Sequence, residues 1–251
     1  MEQPHDDVNR QWFVEYARRT IPAGGRVLDY GCGAGGLVRL LLAAGFDAHG
    51  CDIRWPGADY HWLEMPEADR LHYFGPGGRL PFDDDSFDLV VSDQVFEHVE
   101  PIEESIPEIE RIVKPTGVHY HHFPSSEVWR EGHIGIPFSH RIPHGRARLL
   151  YTTALRRLGF GKFKDERPAK IWAEEKLDWI DNWTVYRPEA EILVLFGRNS
   201  TVRHCEIGYC RFRAGDRQPI AALLGIDALR PFWEWLFRRL GFMALECRRR
   251  G

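Results

Sequence analysis

The chain has 251 residues, 33 of them Lys or Arg and 37 Asp or Glu, for a formal net charge of −4. Hydrophobic residues at 43% and charged residues at 28% give the balance of a folded globular protein and exclude a disordered chain. No run approaches the ~18 apolar residues of a membrane span, and the slight acidity offers phosphate backbones no general attraction, so neither a membrane nor a nucleic-acid partner is expected.

In chain order, Val8, Trp12, Phe13 and Tyr16 recur at helical spacing and predict an amphipathic helix over 6–19 lying against a sheet. Residues 26–30 are short and apolar and run into a glycine cluster, after which a helix over 37–44 is closed by Gly45. Further strands are expected at 47–52, 71–74, 87–92 and 117–123, with helical stretches between several of them. Such alternation predicts an α/β fold: a Rossmann-like, doubly wound, mostly parallel sheet with helices on both faces. From 124 to 185 the pattern dissolves into Pro, Gly, His, Trp and charged residues around a basic helical stretch near 149–158. This part is expected to be an insertion or lid that binds the acceptor. A helix at 188–197, a strand at 201–207, a helix within 227–240 and a strand at 242–247 complete seven strands in one domain over 1–251. Cys32, Cys51, Cys205, Cys210 and Cys247 are odd in number and scattered, as expected of reduced thiols. The polar N-terminus lacks an apolar leader core, and a cytoplasmic protein is the expectation.

The segment Asp29-Tyr30-Gly31-Cys32-Gly33-Ala34-Gly35-Gly36 follows a strand and opens a helix, the setting of a nucleotide-binding turn. Gly31, Gly33 and Gly36 fit the dinucleotide spacing, while Asp29 with Gly31, Gly33 and Gly35 fits an acidic-x-GxGxG form. The carboxylate discriminates between them, because it repels a pyrophosphate and attracts the ammonium of a methionine moiety. Asp52 ends the next strand, where an acid accepts both ribose hydroxyls.

These residues, with Cys51-Asp52, the stretch from Leu80-Pro81-Phe82 through Ser86-Phe87-Asp88-Leu89-Val90, Val95-Phe96-Glu97-His98-Val99, and Glu108 through Lys114-Pro115-Thr116-Gly117, resemble the class I S-adenosylmethionine-dependent methyltransferases, most closely the type 11 small-molecule group. The resemblance covers 26–123. It implies S-adenosylmethionine as cofactor and S-adenosylhomocysteine as product. Asp29, Tyr30 and the turn Gly31, Cys32, Gly33, Gly35 would hold the methionine end, Asp52 the ribose and Ile53 the adenine face, with Gly78, Arg79 and Leu80 at the adenine edge. Asp93 and Gln94 would face the ligand past the fourth strand. Relatives carry an acidic residue where this chain has Pro76, so another group must meet the adenine amino group.

Methyl transfer needs alignment and exclusion of water, and a base only where the acceptor must lose a proton. The histidines His119, His121, His122, His133, His140 and His144 gather at and beyond the fifth strand, near the expected acceptor site, and His133 and His140 are taken as catalytic candidates. A His-x-His strand can ligate zinc, but no carboxylate or cysteine completes a recognisable set nearby, so no metal site is expected. Glu97 and His98 either satisfy helix polar groups or touch a ligand, and stay outside the catalytic set. Asp83, Asp84 and Asp85 read as a solvated turn, and Trp172, Trp179 and Trp183 as packing of the lid or a stacking surface. The expected activity is transfer to oxygen or nitrogen of a small molecule, such as a glycan or natural-product intermediate. A non-catalytic scaffold of the same fold is the first alternative and an NAD-dependent oxidoreductase the second.

Overall fold

The computed structural model describes residues 4–53, 68–75, 78–215 and 217–250. Strand β1 (Arg26–Tyr30) forms over a short run, Val27-Leu28-Asp29-Tyr30, that contains no Gly or Pro, and all four of these residues are buried. It lies between β2 (Asp47–Ile53) and β4 (Phe87–Asp93), with Val27 opposite Ala48 on one side and Leu89 on the other, both parallel. β3 (Leu71–Phe74) and β5 (Val113–Phe123) extend the sheet in parallel. β7 (Met243–Arg249) then enters antiparallel between β5 and β6 (Ser200–His204), giving the order β3-β2-β1-β4-β5-β7-β6. A dinucleotide-binding sheet of order 3-2-1-4-5-6 has no such reversed strand, which argues against the oxidoreductase alternative.

Neighbouring residues of each central strand face opposite cores, as the two-residue period requires. Val27, Leu89, Val91, Val118 and Tyr120 pack against α1 (Pro4–Thr20) and α2 (Gly36–Ala43). Leu28, Val90, Phe123 and Leu245 face α3 (Ile102–Ile112) and α6 (Glu189–Phe196). Among the described residues no helix is long and apolar enough to cross a membrane. All five cysteines are free thiols.

The expected insertion contains α4 (Arg146–Arg157), where a basic helix was predicted, and α5 (Ala169–Trp183), which was not. It has a core of its own, in which fully buried Trp172 meets Ile134, Ile136 and Leu177. The strand expected over 201–207 stops at His204 and turns into α7 (Glu206–Ala214), because the buried Glu206 carboxylate accepts the Ala244 amide at 3.1 Å and holds His204 at 2.9 Å. α8 (Gln218–Leu224) precedes α9 (Arg230–Leu240), the helix expected within 227–240.

α1 is fastened across the far end of the chain. Tyr16 stacks on Tyr120 with ring centroids 4.0 Å apart and donates its hydroxyl to Glu246 at 2.7 Å, while the Trp12 indole N–H reaches the Tyr120 hydroxyl at 3.0 Å. Tyr16→Phe leaves Glu246 its Arg203 and Arg248 partners, so urea denaturation should show a loss of about 1–2 kcal/mol. A loss below ~0.5 kcal/mol would mean that this bond does not hold the helix.

Candidate active site

The turn after β1 is shaped by glycines that cannot be replaced. Gly31, Gly33 and Gly35 have φ of 80°, 49° and 70°, a region that side chains with a Cβ avoid. A Cβ on Gly31 would also lie 2.3 Å from Val95 Cγ2. The Gly31 and Cys32 amides both donate to the Cys51 carbonyl, at 2.8 and 3.1 Å, tying the turn to β2. Asp52, at the end of β2, accepts the Gly33 amide at 2.7 Å with one oxygen and the Ile53 amide at 2.7 Å with the other. The residues expected to hold the methionine end and the ribose therefore stand together.

Asp29 is 5% exposed at the end of β1. Burial, with Asp52 and Asp93 nearby and Arg10 opposing, pushes its carboxyl up to about 8. Asp93 ends the adjacent β4, takes Asn9 Nδ2 at 3.4 Å and lies 3.8 Å from His122 Nδ1. Gln94 is exposed beside it, with φ of 56° and its amide on the His122 carbonyl at 2.7 Å. Three carboxylates thus surround a bare turn, an arrangement that favours a cation.

Not every expected contact is brought to that turn. The side chains of Tyr30 and Cys32 are buried in the two cores, Tyr30 against Phe74 and Phe96, so only their backbone can meet a ligand. Gly78 donates to the Gly75 carbonyl just after β3. Arg79 instead pairs with Asp84 at 3.5 Å, and it shares a cavity with Leu80 and Arg26, the first residue of β1, at the opposite edge of the sheet. The Leu80 side chain is buried in the core. This corrects the adenine-edge placement of the Arg79 and Leu80 side chains: the loop has already crossed toward the start of β4. Pro76 lies outside the described residues.

The histidines of β5 also depart from expectation. His119, His121 and His122 are fully buried because β5 is covered on both faces. His121 bridges Ser92 and His119 at 2.8 Å each, and Ser200 links His119 at 3.4 Å to Glu110 at 2.6 Å. Burial lowers the pKa of all three rings. His119 and His121 form a polar chain inside the core, while His122, on the other face, meets the Tyr120 hydroxyl at 2.8 Å. His144 is exposed and pairs with Asp181 at 3.0 Å.

His133, by contrast, is carried by the insertion onto the segment that leaves β4, whereas His140 packs within the insertion. The Val185 amide donates to the Glu97 carbonyl at 2.7 Å, and Arg187 reaches the Val99 carbonyl at 3.0 Å. His133 Nε2 lies 3.2 Å from His98 Nε2, and His133 Nδ1 lies 2.8 Å from Glu131. His140 packs on Tyr186 with ring centroids 4.9 Å apart and donates from Nε2 to the Ser126 carbonyl at 3.2 Å. Trp179 borders His133, its ring 5.0 Å away. Glu97 is 1% exposed, and neither carboxylate oxygen has a hydrogen-bond partner among the described residues. Burial drives its carboxyl well above the usual range, aided by Asp93 and Glu131 and opposed by its own amide.

The type 11 family model described as a methyltransferase domain matches residues 28–121, from within β1 to within β5. Residues 28–121 are a class I S-adenosylmethionine-dependent methyltransferase domain of the type 11 group. Across its length the chain shares the fold of an S-adenosylmethionine-dependent methyltransferase from Mesorhizobium loti, at a TM-score of 0.56 and 19% identity, covering 96% of this chain and 100% of that one. It is similar in fold to the methyltransferase in complex with the Trm112 activator of Haloferax volcanii, at a TM-score of 0.53 and 19% identity over 98% of this chain and 93% of that one. Sterol 24-C-methyltransferase of Schizosaccharomyces pombe is 32% identical over 110 residues, 40% of this chain. The match spans only 28% of that curated relative's length.

Outside the family-matched segment, the methyltransferase domain is completed by residues without a motif. Asn9 and Arg10 reach it from α1: Arg10 lies over Gly36, where a Cβ would meet its guanidinium carbon at 2.8 Å. Their position before the first strand gave no signal beyond helical spacing. Glu131 and Tyr186 were likewise invisible, since their partners are distant in sequence.

A folded-state carboxyl at about 8 against 3.8 in the free residue means that the native state of the methyltransferase domain holds a proton the unfolded chain releases. Stability is therefore lost as pH rises from the unfolded value through the folded one. Asp29→Asn removes that loss, so at pH 8 its Tm should exceed the wild type's by about 2–4 °C for each kcal/mol recovered. The gap should close near pH 4. Calorimetric melts across that range check it, and an unchanged or lower Tm at pH 8 contradicts the burial penalty.

Proposed function

We propose that the protein transfers the methyl group of S-adenosylmethionine to an oxygen or nitrogen of a small molecule held between the insertion over 124–185 and the segment leaving β4. The convergence of Asp29, Asp52 and Asp93 on the bare glycine turn carries this reading. S-adenosylmethionine, when bound, supplies an electrophilic methyl on a cationic sulfur. In this reading Asp29 takes the methionine ammonium, and Arg10, over the start of α2, takes its carboxylate. Asp52, held in place by the Gly33 and Ile53 amides, accepts ribose hydroxyls. Ile53 packs on the adenine, the backbone around Gly78 borders it, and Asp93 with Gln94 lines the methyl end.

An ammonium ligand needs Asp29 ionised, so binding below pH 8 releases a proton and affinity rises with pH until Asp29 is ionised unaided. Titration calorimetry with S-adenosylhomocysteine should show Kd falling by up to about tenfold per pH unit between pH 6 and 8 and then levelling. Asp29→Asn should bind far more weakly and lose that slope. Absence of binding at every pH would favour the non-catalytic scaffold.

Of the two histidine candidates, His140 suits the base. Its Nε2 hydrogen is committed to the Ser126 carbonyl, so Nδ1 carries the lone pair, and Nδ1 is buried without a partner among the described residues. Burial lowers its pKa, which keeps the ring neutral at pH 7. As the acceptor oxygen or nitrogen bonds the methyl carbon, the carbon–sulfur pair returns to sulfur and the acceptor proton passes to His140. His140→Ala should lower kcat by about 10²–10⁴-fold with an acceptor that must lose a proton, while S-adenosylhomocysteine binds as before. Equal turnover would remove His140 from the chemistry.

A further inference from the structure

Glu97, His98 and His133 present ligand atoms that all lie within 4.8 Å of one another. The hydrogen bonds around them fix where the protons are. His98 Nδ1 meets the Trp183 carbonyl, which only accepts, so that nitrogen carries the hydrogen and Nε2 the lone pair. His133 Nδ1 meets Glu131, whose carboxylate also receives the Tyr186 hydroxyl and the His133 and Ile134 amides. With those donors on it the Glu131 carboxylate is an acceptor for His133 Nδ1, which turns His133 Nε2 toward His98.

The two Nε2 atoms face each other at 3.2 Å, the spacing of two ligands on one ion. Two nitrogens each ~2.05 Å from a tetrahedral zinc ion lie about 3.3 Å apart. Beside them stands the Glu97 carboxylate, 1% exposed with both oxygens unpartnered among the described residues. Two imidazoles and a carboxylate are the donor set of borderline divalent ions, and three protein ligands leave a position open. The Glu131 and Trp183 contacts to each Nδ1 are the outer partners that orient ligating imidazoles.

We propose that Glu97, His98 and His133 form a binding site for one divalent cation of the zinc class, left open for an oxygen or nitrogen of the acceptor. Val95, two residues before Glu97, packs on Gly31 of the glycine turn, which places the cation beside the methyl-donor side. A bound acceptor hydroxyl would lose its proton more readily there. That role rests on the methyl-transfer reading, whereas the cation site does not.

Elemental analysis after loading the full chain with Zn²⁺ and removing loose metal with a weak chelator tests the proposal. Wild type and the surface variant His144→Ala should retain about one ion per chain, while Glu97→Gln and His133→Ala should each lose most of it, with Kd for Zn²⁺ raised at least ~100-fold. Binding of S-adenosylhomocysteine by each variant reports that it is folded. Should a variant fail to fold, titration of wild type with Co²⁺ and its visible absorption replaces it, one equivalent in a four-coordinate environment being the expected result. Wild type that binds S-adenosylhomocysteine but retains no zinc, or folded Glu97→Gln that retains a full equivalent, overturns the cation site and leaves the methyl-transfer reading standing. Retained zinc with no nucleoside binding does the reverse.

Discussion

Negative charge held where there is too little water to solvate it is the constraint on which the rest of the site depends. Asp29 is buried at the end of β1, and Asp52 and Asp93 end the strands on either side of it. Burial and their mutual repulsion raise the Asp29 carboxyl to about 8, so it keeps its proton at neutral pH unless a cation faces it. The parallel order of β2, β1 and β4 makes this unavoidable, because parallel neighbours end at the same edge. The glycines complete the effect. At Gly31 and Gly35 the missing side chains let Val95 and Leu71 close in, while at Gly33 no described atom lies within 4 Å of where a Cβ would stand.

The reversed β7 and the first helix serve the same edge from outside the matched segment. β7 presents Glu246 to Tyr16 and thereby fixes α1 across the sheet. That helix in turn brings Asn9 to Asp93 and Arg10 to Gly36. A contact spanning nearly the whole chain thus positions the only described cation that opposes the Asp29 shift. The fold outside 28–121 is part of the cofactor side as well as its support.

Much of this was legible in sequence because it is local. A strand followed by Asp-x-Gly-x-Gly-x-Gly and an acid at the end of the next strand fixes β1, the turn, α2 and β2, and all four form where spacing placed them. The strand at 201–207 was misjudged past His204 because the residue that ends it, Glu206, acts through the amide of Ala244. The histidines of β5 misled for a related reason: alternation shows that neighbours face opposite sides, not that both sides are covered. His119 and His121 satisfy one another and Ser92, a pairing that sequence spacing permits but does not announce. Arg79 and Leu80 erred through direction, since a loop that borders a ligand with its backbone can send its side chains to the other edge.

The insertion differs in kind from a flexible cover. It has its own apolar centre around Trp172, and the chain leaving it meets the segment after β4 through the Val185 amide on the Glu97 carbonyl and the Arg187 guanidinium on the Val99 carbonyl. The segment leaving β4 is shared: Asp93 at its start stands with Asp29 and Asp52, and Glu97 and His98 a turn later meet the insertion. Any shift of the insertion against that segment moves His133 relative to His98, whereas Asp93 is held from the other side by α1. The two halves of the proposed site can consequently vary separately, the carboxylate edge fixed by the sheet and the histidine side by what the insertion carries to residues 94–99.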